Sequence, residues 1–353
     1  MSVVVVIPRK YLAHLEEELA LVKTVYESIV DYIVVNRVSS KTYLSEDKLS
    51  KIKGLEFDKL VIMDRLKPSQ LVNIAREIKR EVVDRIMLIL EIFADHAGSR
   101  EALLQIELAR LRYILPLVKE AIKYAKLGEL HGFLGAGRYG YEKYYTMLKK
   151  REARVRREIE KLRETRSIRR KARVEAGFPH VAIVGYTCAG KTSLFNVMTG
   201  LNKPVGPEPF TTITPKSYRV EYKGLSFIVT DTVGFIRDIP PEIIESFYAT
   251  LEEAAEADVI IDVVDASKRP SDVLREIETA REILRKIGVH GKPIIYALNK
   301  IDKVSSLSEV VESVIKAAGV DEDHVIPISC TLKINIDKLL EKVYDAIKIR
   351  VYR

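Results

Sequence analysis

Three short runs of apolar, largely β-branched residues stand near the start of the chain: Val3–Ile7, Tyr32–Asn36 and Leu60–Met63. Between them, Tyr11–Tyr26 and Ser69–Arg80 carry apolar residues at helical spacing. A fully buried strand reads as an unbroken apolar run, and a half-buried helix as a repeat near 3.6. The alternation predicts a small, mainly parallel α/β layer over residues 1–97. His14 and His96 lie here with no Cys or second His beside them, and are expected as surface or packing residues.

The pattern then changes. Leu104, Leu108, Leu111, Leu115, Val118, Ile122 and Ala125 recur in alternating steps of four and three, a heptad seam interrupted by Pro116, which is expected to bend the helix. Tyr145, Leu148, Glu152, Val155, Ile159 and Leu162 form a second seam. Between the two, residues 128–140 hold five glycines, too many for a cheap regular helix. Residues 98–176 therefore read as an antiparallel helical-hairpin coiled coil with a flexible, glycine-rich tip.

After the turn-like Gly177-Phe178-Pro179, strands are expected at Val181–Val184, Ser217–Tyr222, Leu225–Thr230, Val259–Val264, Ile294–Leu298 and Val325–Ile328. Lys223-Gly224 fits a two-residue hairpin turn. Helical patterns occupy Val273–Ile287 and Ile336–Ile349. Residues 177–353 are expected to form a doubly wound, mixed α/β domain with one antiparallel edge strand.

Composition narrows the function classes. With 47% hydrophobic and 31% charged residues the chain is globular. Its apolar runs stop at about five residues, so no membrane span is expected. No secretory leader is expected ahead of Pro8, and two cysteines, Cys188 and Cys330, are too few for a disulfide framework; a reducing cytoplasm is expected. The net charge of +8 is concentrated in Lys149–Arg173, where 13 Lys and Arg stand against 4 Glu. Such a run binds phosphates or is a solvated helix face, and charge alone does not decide between them.

The chemistry lies in the third part. Gly185-Tyr186-Thr187-Cys188-Ala189-Gly190-Lys191-Thr192 matches G-x-x-x-x-G-K-[ST] between a predicted strand and a helix that continues with Ser193. In such a loop the amides wrap phosphates, the lysine neutralises the outer ones, and the Thr192 hydroxyl is an oxygen ligand for Mg²⁺. Asp231-Thr232-Val233-Gly234 follows a strand, where Asp231 holds Mg²⁺ through water and the Gly234 amide reaches a γ-phosphate. Asn299-Lys300-Ile301-Asp302 follows another and reads as a guanine pocket: Asp302 accepts from guanine N1–H and the exocyclic amine, and ATP is rejected because the carboxylate would stay unpaired. Ser329-Cys330-Thr331 completes the base pocket.

With these motifs in place, Phe178–Gly200, Asp231–Pro240 and Val263–Ser267 resemble HflX, ribosome-associated GTPases of the Obg–HflX group. The likeness extends to Asp84-Arg85, Ile92-Phe93-Ala94, Gln105–Ala109 and Leu115-Pro116, and so covers about residues 58–353. It implies a cytoplasmic, monomeric P-loop GTPase whose N-terminal module binds the large (50S) ribosomal subunit and its rRNA; some members split ribosomes. It also implies that the first switch contains Phe210-Thr211-Thr212-Ile213-Thr214, with Thr212 as the Mg²⁺ ligand and Thr211 its chemical competitor. The chain departs from the family in its tip, Arg138-Tyr139-Gly140-Tyr141-Glu142-Lys143, and at Cys188, which replaces the usual asparagine; the extra C-terminal domain of many bacterial members is not expected here. A thiol is a poor ligand for a hard cation, so hydrolysis independent of K⁺ is expected unless Cys188 merely fills space.

Phe235 stands where many GTPases place a water-orienting glutamine, and a phenyl ring cannot hydrogen-bond water, so intrinsic hydrolysis should be slow. The alternative role for Phe235 is to pack under the switch. No catalytic base can be assigned; Lys191, Thr212, Gly234 and Arg237 are the candidates, and Arg237 suits a salt bridge or ribosome contact as well as charge stabilisation. The leading expectation is a GTP-driven switch on the ribosome. The alternative is a GTP-gated module that binds or remodels free RNA.

Overall fold

The computed structural model describes residues 1–97, 100–126, 138–175, 177–201, 216–236 and 254–351. These residues divide into two compact units, Met1–Arg163 and Glu164–Arg353.

In the first unit, β1 (Ser2–Pro8) runs into a 3₁₀ turn (Arg9–His14) and α1 (Leu15–Lys23). Then come β2 (Ser28–Val35), α2 (Glu46–Lys53), β3 (Lys59–Ile62), α3 (Pro68–Ile78), β4 (Glu81–Asp84) and α4 (Arg85–His96). The sheet order is β2-β1-β3-β4 and every pairing is parallel. Val3–Ile7 is wholly buried in the second of these positions, which is why its sequence shows no alternation. The single helix expected over Tyr11–Tyr26 is instead a 3₁₀ turn followed by α1. The pattern had not marked α2, β4 or α4. Lys79, at φ +54°, closes α3 in the left-handed region.

α5 (Arg100–Lys126) and α6 (Arg138–Glu175) follow. Leu104, Leu111, Leu115 and Val118 of α5 share one core with Leu148, Val155 and Ile159 of α6. The ion pairs Arg100–Glu158 and Glu107–Arg151 advance along one helix as they retreat along the other, so the pair is antiparallel. α5 runs through Pro116, which is exposed opposite the seam, so the lost backbone bond faces water while Leu115 and Val118 stay packed. The expected tip loop over 128–140 is too long at its far end: Arg138–Gly140 already belong to α6. A first helical turn leaves its amides without intrahelical partners in any case, so a glycine is cheapest there. Residues 127–137 lie outside the described residues.

The second unit begins with β5 (His180–Gly185), α7 (Lys191–Thr199), β6 (Lys216–Tyr222), β7 (Leu225–Asp231) and β8 (Val259–Asp265). It ends with α8 (Pro270–Lys286), β9 (Ile294–Asn299), α9 (Leu307–Ala318), β10 (Val325–Pro327) and α10 (Ile336–Val351). The strand order is β10-β9-β8-β5-β7-β6, parallel except for the β6–β7 edge hairpin. Lys223 and Gly224 turn that hairpin at φ +50° and +77°, as a two-residue primed turn requires. One face of the sheet buries Val181, Ile183, Ile261, Val263 and Ala297 with Leu194 and Phe195 of α7 and Leu339 and Val343 of α10. The opposite face buries Val264, Tyr296 and Leu298 with Val273 and Ile277 of α8 and Val310 and Val314 of α9. The functional motifs stand at the carboxyl ends of β5, β7 and β9 and just after β10. Ligands of open α/β sheets bind at that edge.

Candidate nucleotide site

Gly185 ends β5 at φ +138°, and a Cβ there would overlap the Val263 carbonyl of β8. Gly190 opens α7 at φ +101°, and a Cβ there would overlap the Asn299 amide. Both positions admit only glycine, for backbone and for space. Cys188, between them, also has positive φ, at +61°, and is exposed. The family's usual asparagine tolerates this conformation better than most residues, so Cys188 carries a small strain here.

Lys191 is the first residue of α7 and is 6% exposed. Its Nζ donates to the Tyr186 carbonyl at 2.6 Å, which folds the side chain back over its own loop. Burial pushes its ammonium down to about 8, against the opposing pull of Asp231, Cys188, Asp262 and Glu276. Thr192 and Asp231 are also buried. A hydroxyl and a carboxylate form an all-oxygen donor set that fits a hard divalent cation. Gly234 lies against the same lysine: a Cβ would come 2.8 Å from Lys191 Nζ and from the Thr187 methyl.

The Asp231–Gly234 segment is held from both sides. Thr232 donates its Oγ1 to the Ile183 carbonyl at 2.7 Å. Beyond it, Phe235 N–H donates to Gly185 O at 2.9 Å, and Thr187 N–H donates to Phe235 O at 2.8 Å. Phe235 thus has both backbone groups tied to the phosphate loop and its ring buried.

The base-side motifs are tied to the same loop. Asn299 Nδ2 donates to the Ala189 carbonyl at 2.9 Å and its Oδ1 accepts from Cys330 N–H at 3.1 Å. Lys300, at φ +67°, donates through Nζ to the Cys188 carbonyl at 2.7 Å and to Asp265 Oδ2 at 2.6 Å. Asp265 Oδ1 accepts from Ser267 N–H and Oγ, so this buried carboxylate holds the lysine in place. Asp302 is exposed and accepts from Ser329 Oγ at 2.6 Å. Burial pushes the Cys330 thiol up to about 12. Ile301 begins a short 3₁₀ turn with Asp302, whereas Thr331 is exposed in the turn that Ser329 and Ile334 bridge.

The fold therefore brings together Gly185–Ser193, Asp231–Phe235, Asn299–Asp302 and Ser329–Cys330 at one sheet edge. Phe210, Thr211, Thr212, Ile213, Thr214 and Arg237 lie outside the described residues. Asp265 is the participant that motif reading passed over. The signal was its place two residues before Ser267, where a side-chain turn forms. No helix among the described residues is long and apolar enough to cross a membrane.

Comparison with known proteins places this site in a family. Models described as "GTP-binding GTPase N-terminal", "GTP-binding GTPase Middle Region" and "50S ribosome-binding GTPase" match residues 12–94, 96–173 and 180–300. GTPase HflX of Hyperthermus butylicus is 47% identical, over 93% of this chain and 90% of its own. GTPase HflX of Saccharolobus solfataricus is 42% identical, over 94% and 95%. The crystal structure of a GTP-binding protein from Sulfolobus solfataricus in complex with GDP is similar over 98% of both chains, with 35% identity and a TM-score of 0.56. With the three family regions in order and close relatives along nearly its whole length, the chain belongs to the HflX family and is a GTP-hydrolysing enzyme.

Proposed function

We propose that this GTPase is a switch acting on the large ribosomal subunit, with the amides and side chains of Gly185–Ser193 seating the phosphates and Asn299–Asp302 with Ser329–Thr331 reading guanine. Thr192, Asp231 and, from the first switch, Thr212 hold Mg²⁺, which when bound neutralises charge on the phosphate oxygens. Lys191 leaves the Tyr186 carbonyl to meet the outer phosphates, and Gly234 N–H meets the γ-phosphate. Phe235 orients no water, which supports a slow intrinsic rate and a water-positioning group supplied elsewhere. GTP orders the switches, the ordered state binds the ribosome, and hydrolysis releases it.

The observation that carries the nucleotide reading is the double tie of the base motif to the phosphate loop, Asn299 to Ala189 and Lys300 to Cys188. The ribosome reading is supported by the family description of residues 180–300 and by the basic Lys149–Arg173 segment of α6. The protein acts in the cytoplasm and as a monomer. Sedimentation with separated ribosomal subunits tests it: co-migration with large subunits is expected with a non-hydrolysable GTP analogue and reduced with GDP. Equal binding to naked RNA, with no nucleotide dependence, would overturn it in favour of an RNA-binding module.

A further inference from the structure

Asp262 is a buried charge to which the nucleotide motifs give no role. Asp262 stands in the middle of β8, opposite Val184 of β5 and Tyr296 of β9, and is 2% exposed. Neighbours on its strand, Ile261 and Val263, point into the α7 face of the sheet, and Val264 into the α8 face. Alternation along the strand puts Asp262 on the α8 face with Val264. An aspartate in the central strand of a sheet core is costly unless something uses its charge.

The groups around it come from four elements. Lys191 of α7 attracts it and Glu276 of α8 repels it. Glu276 is itself buried and paired with Lys268 at 2.5 Å. Tyr296 of β9 is buried beside Asp262, and Arg281 of α8 acts on that tyrosine. Asp231 at the end of β7 reaches the cluster through Lys191. Among the described residues, Asp262 Oδ2 is buried and has no hydrogen-bond partner. The carboxyl therefore has room for a proton on that atom, and among the described residues the cation that acts on it directly to oppose one is the lysine of the phosphate loop.

We infer that Asp262 is a positioning residue of the phosphate site: it takes a proton from solvent on Oδ2 when bound nucleotide turns Lys191 outward, so that nucleotide binding and protonation are coupled. Without nucleotide, the Lys191 ammonium favours the carboxylate. Bound phosphates draw that ammonium to themselves and add negative charge, and both changes favour the neutral acid. Burial and Glu276 already hold the carboxyl well above the ordinary aspartate range, at about 7 against the pull of Lys191, so the exchange falls near neutrality. A group that gains a proton on binding makes affinity fall as pH rises through its pKa, by at most about tenfold per pH unit. The inference rests on the nucleotide seat proposed above.

The test measures GDP affinity of the full-length protein and of Asp262→Asn from about pH 6 to about pH 8. The two proteins share whatever pH dependence GDP itself brings, so the difference isolates Asp262. Wild type is expected to lose several-fold more affinity than the variant across this range, and the variant to bind more tightly than wild type at the alkaline end. Calorimetry in buffers of different ionisation enthalpy should show proton uptake on GDP binding by wild type in excess of that by the variant. Should Asp262→Asn not fold, Glu276→Gln serves instead: removing the repelling carboxylate should move the affinity transition to lower pH. Identical pH profiles and proton uptake in wild type and Asp262→Asn, or an unmoved transition in Glu276→Gln, overturn the inference. Failure to bind GDP at any pH would instead overturn the seat itself.

Discussion

Asp302 is exposed and accepts a side-chain bond from Ser329 Oγ. Guanine recognition needs an acceptor at this position. Asp302→Asn turns part of it into a donor and should weaken GTP binding on the order of a hundredfold, or a few kcal/mol, while raising relative affinity for xanthosine nucleotides. Competition binding with GTP, XTP and ATP checks this; equal GTP and ATP affinity in the unmodified protein would refute the base assignment. One layer behind, Asp265 anchors Lys300, which in turn holds the Cys188 carbonyl. Asp265 thus ties the Asn299–Asp302 motif to the phosphate loop through Lys300.

Among elements, the α5–α6 pair shows which contacts matter for stability. Its seam buries Val155 and Ile159 of α6 against Leu104, Leu111 and Leu115. Around it, Arg154–Glu158, Arg156–Glu152 and Lys149–Glu152 pair along α6, with the basic partners largely exposed. Such exposed pairs contribute on the order of 0–1 kcal/mol each, whereas truncating a buried aliphatic side chain costs about 2–5 kcal/mol. Leu111→Ala should therefore destabilise the first unit in denaturant titrations, and Arg154→Gln should scarcely change it. The reverse order would show that the charge network carries the hairpin. The same pairs qualify the basic segment as an RNA contact. Arg154 and Arg156 already have carboxylate partners, so replacing them with Arg157 by Gln should lower the salt slope of ribosome binding only modestly.

At the scale of the molecule, each unit holds its own core, and every described residue of the nucleotide site belongs to the second. A ligand that binds only the folded form stabilises it by mass action, about 2.7 kcal/mol at roughly a hundred times its Kd. GDP with Mg²⁺ should raise the unfolding temperature of Glu164–Arg353 and leave a separate transition of Met1–Arg163 in place. Differential scanning calorimetry with and without nucleotide checks this; a single transition moving as a whole would show that the two units unfold together.

The phosphate loop, the Asp231 and Asn299 motifs and the heptad seams were legible in the chain because each is a local pattern whose spacing encodes its geometry. All six strands of the second unit were likewise legible, the buried parallel ones from uninterrupted apolar runs and the antiparallel edge strand β6 from the Lys223-Gly224 turn that pairs it with β7. Two short elements were not: β4 has only Val82 and Val83 as apolar residues, and α2 has only Leu49 and Ile52 buried, so neither leaves a periodic trace. Pattern placed a helix across Tyr11–Tyr26 that the chain breaks into two pieces, because tertiary packing overrode local periodicity. Phe235 was legible as a residue without a hydrogen-bonding side chain. Its seat in the phosphate loop depends on backbone bonds to Gly185 and Thr187, fifty and forty-eight positions earlier. The roles of Asp265 and Asp262 depend in the same way on β8 lying beside both β5 and β9. A carboxylate's burial and the cation it faces are set by chain segments distant in sequence, and no local pattern carries that information.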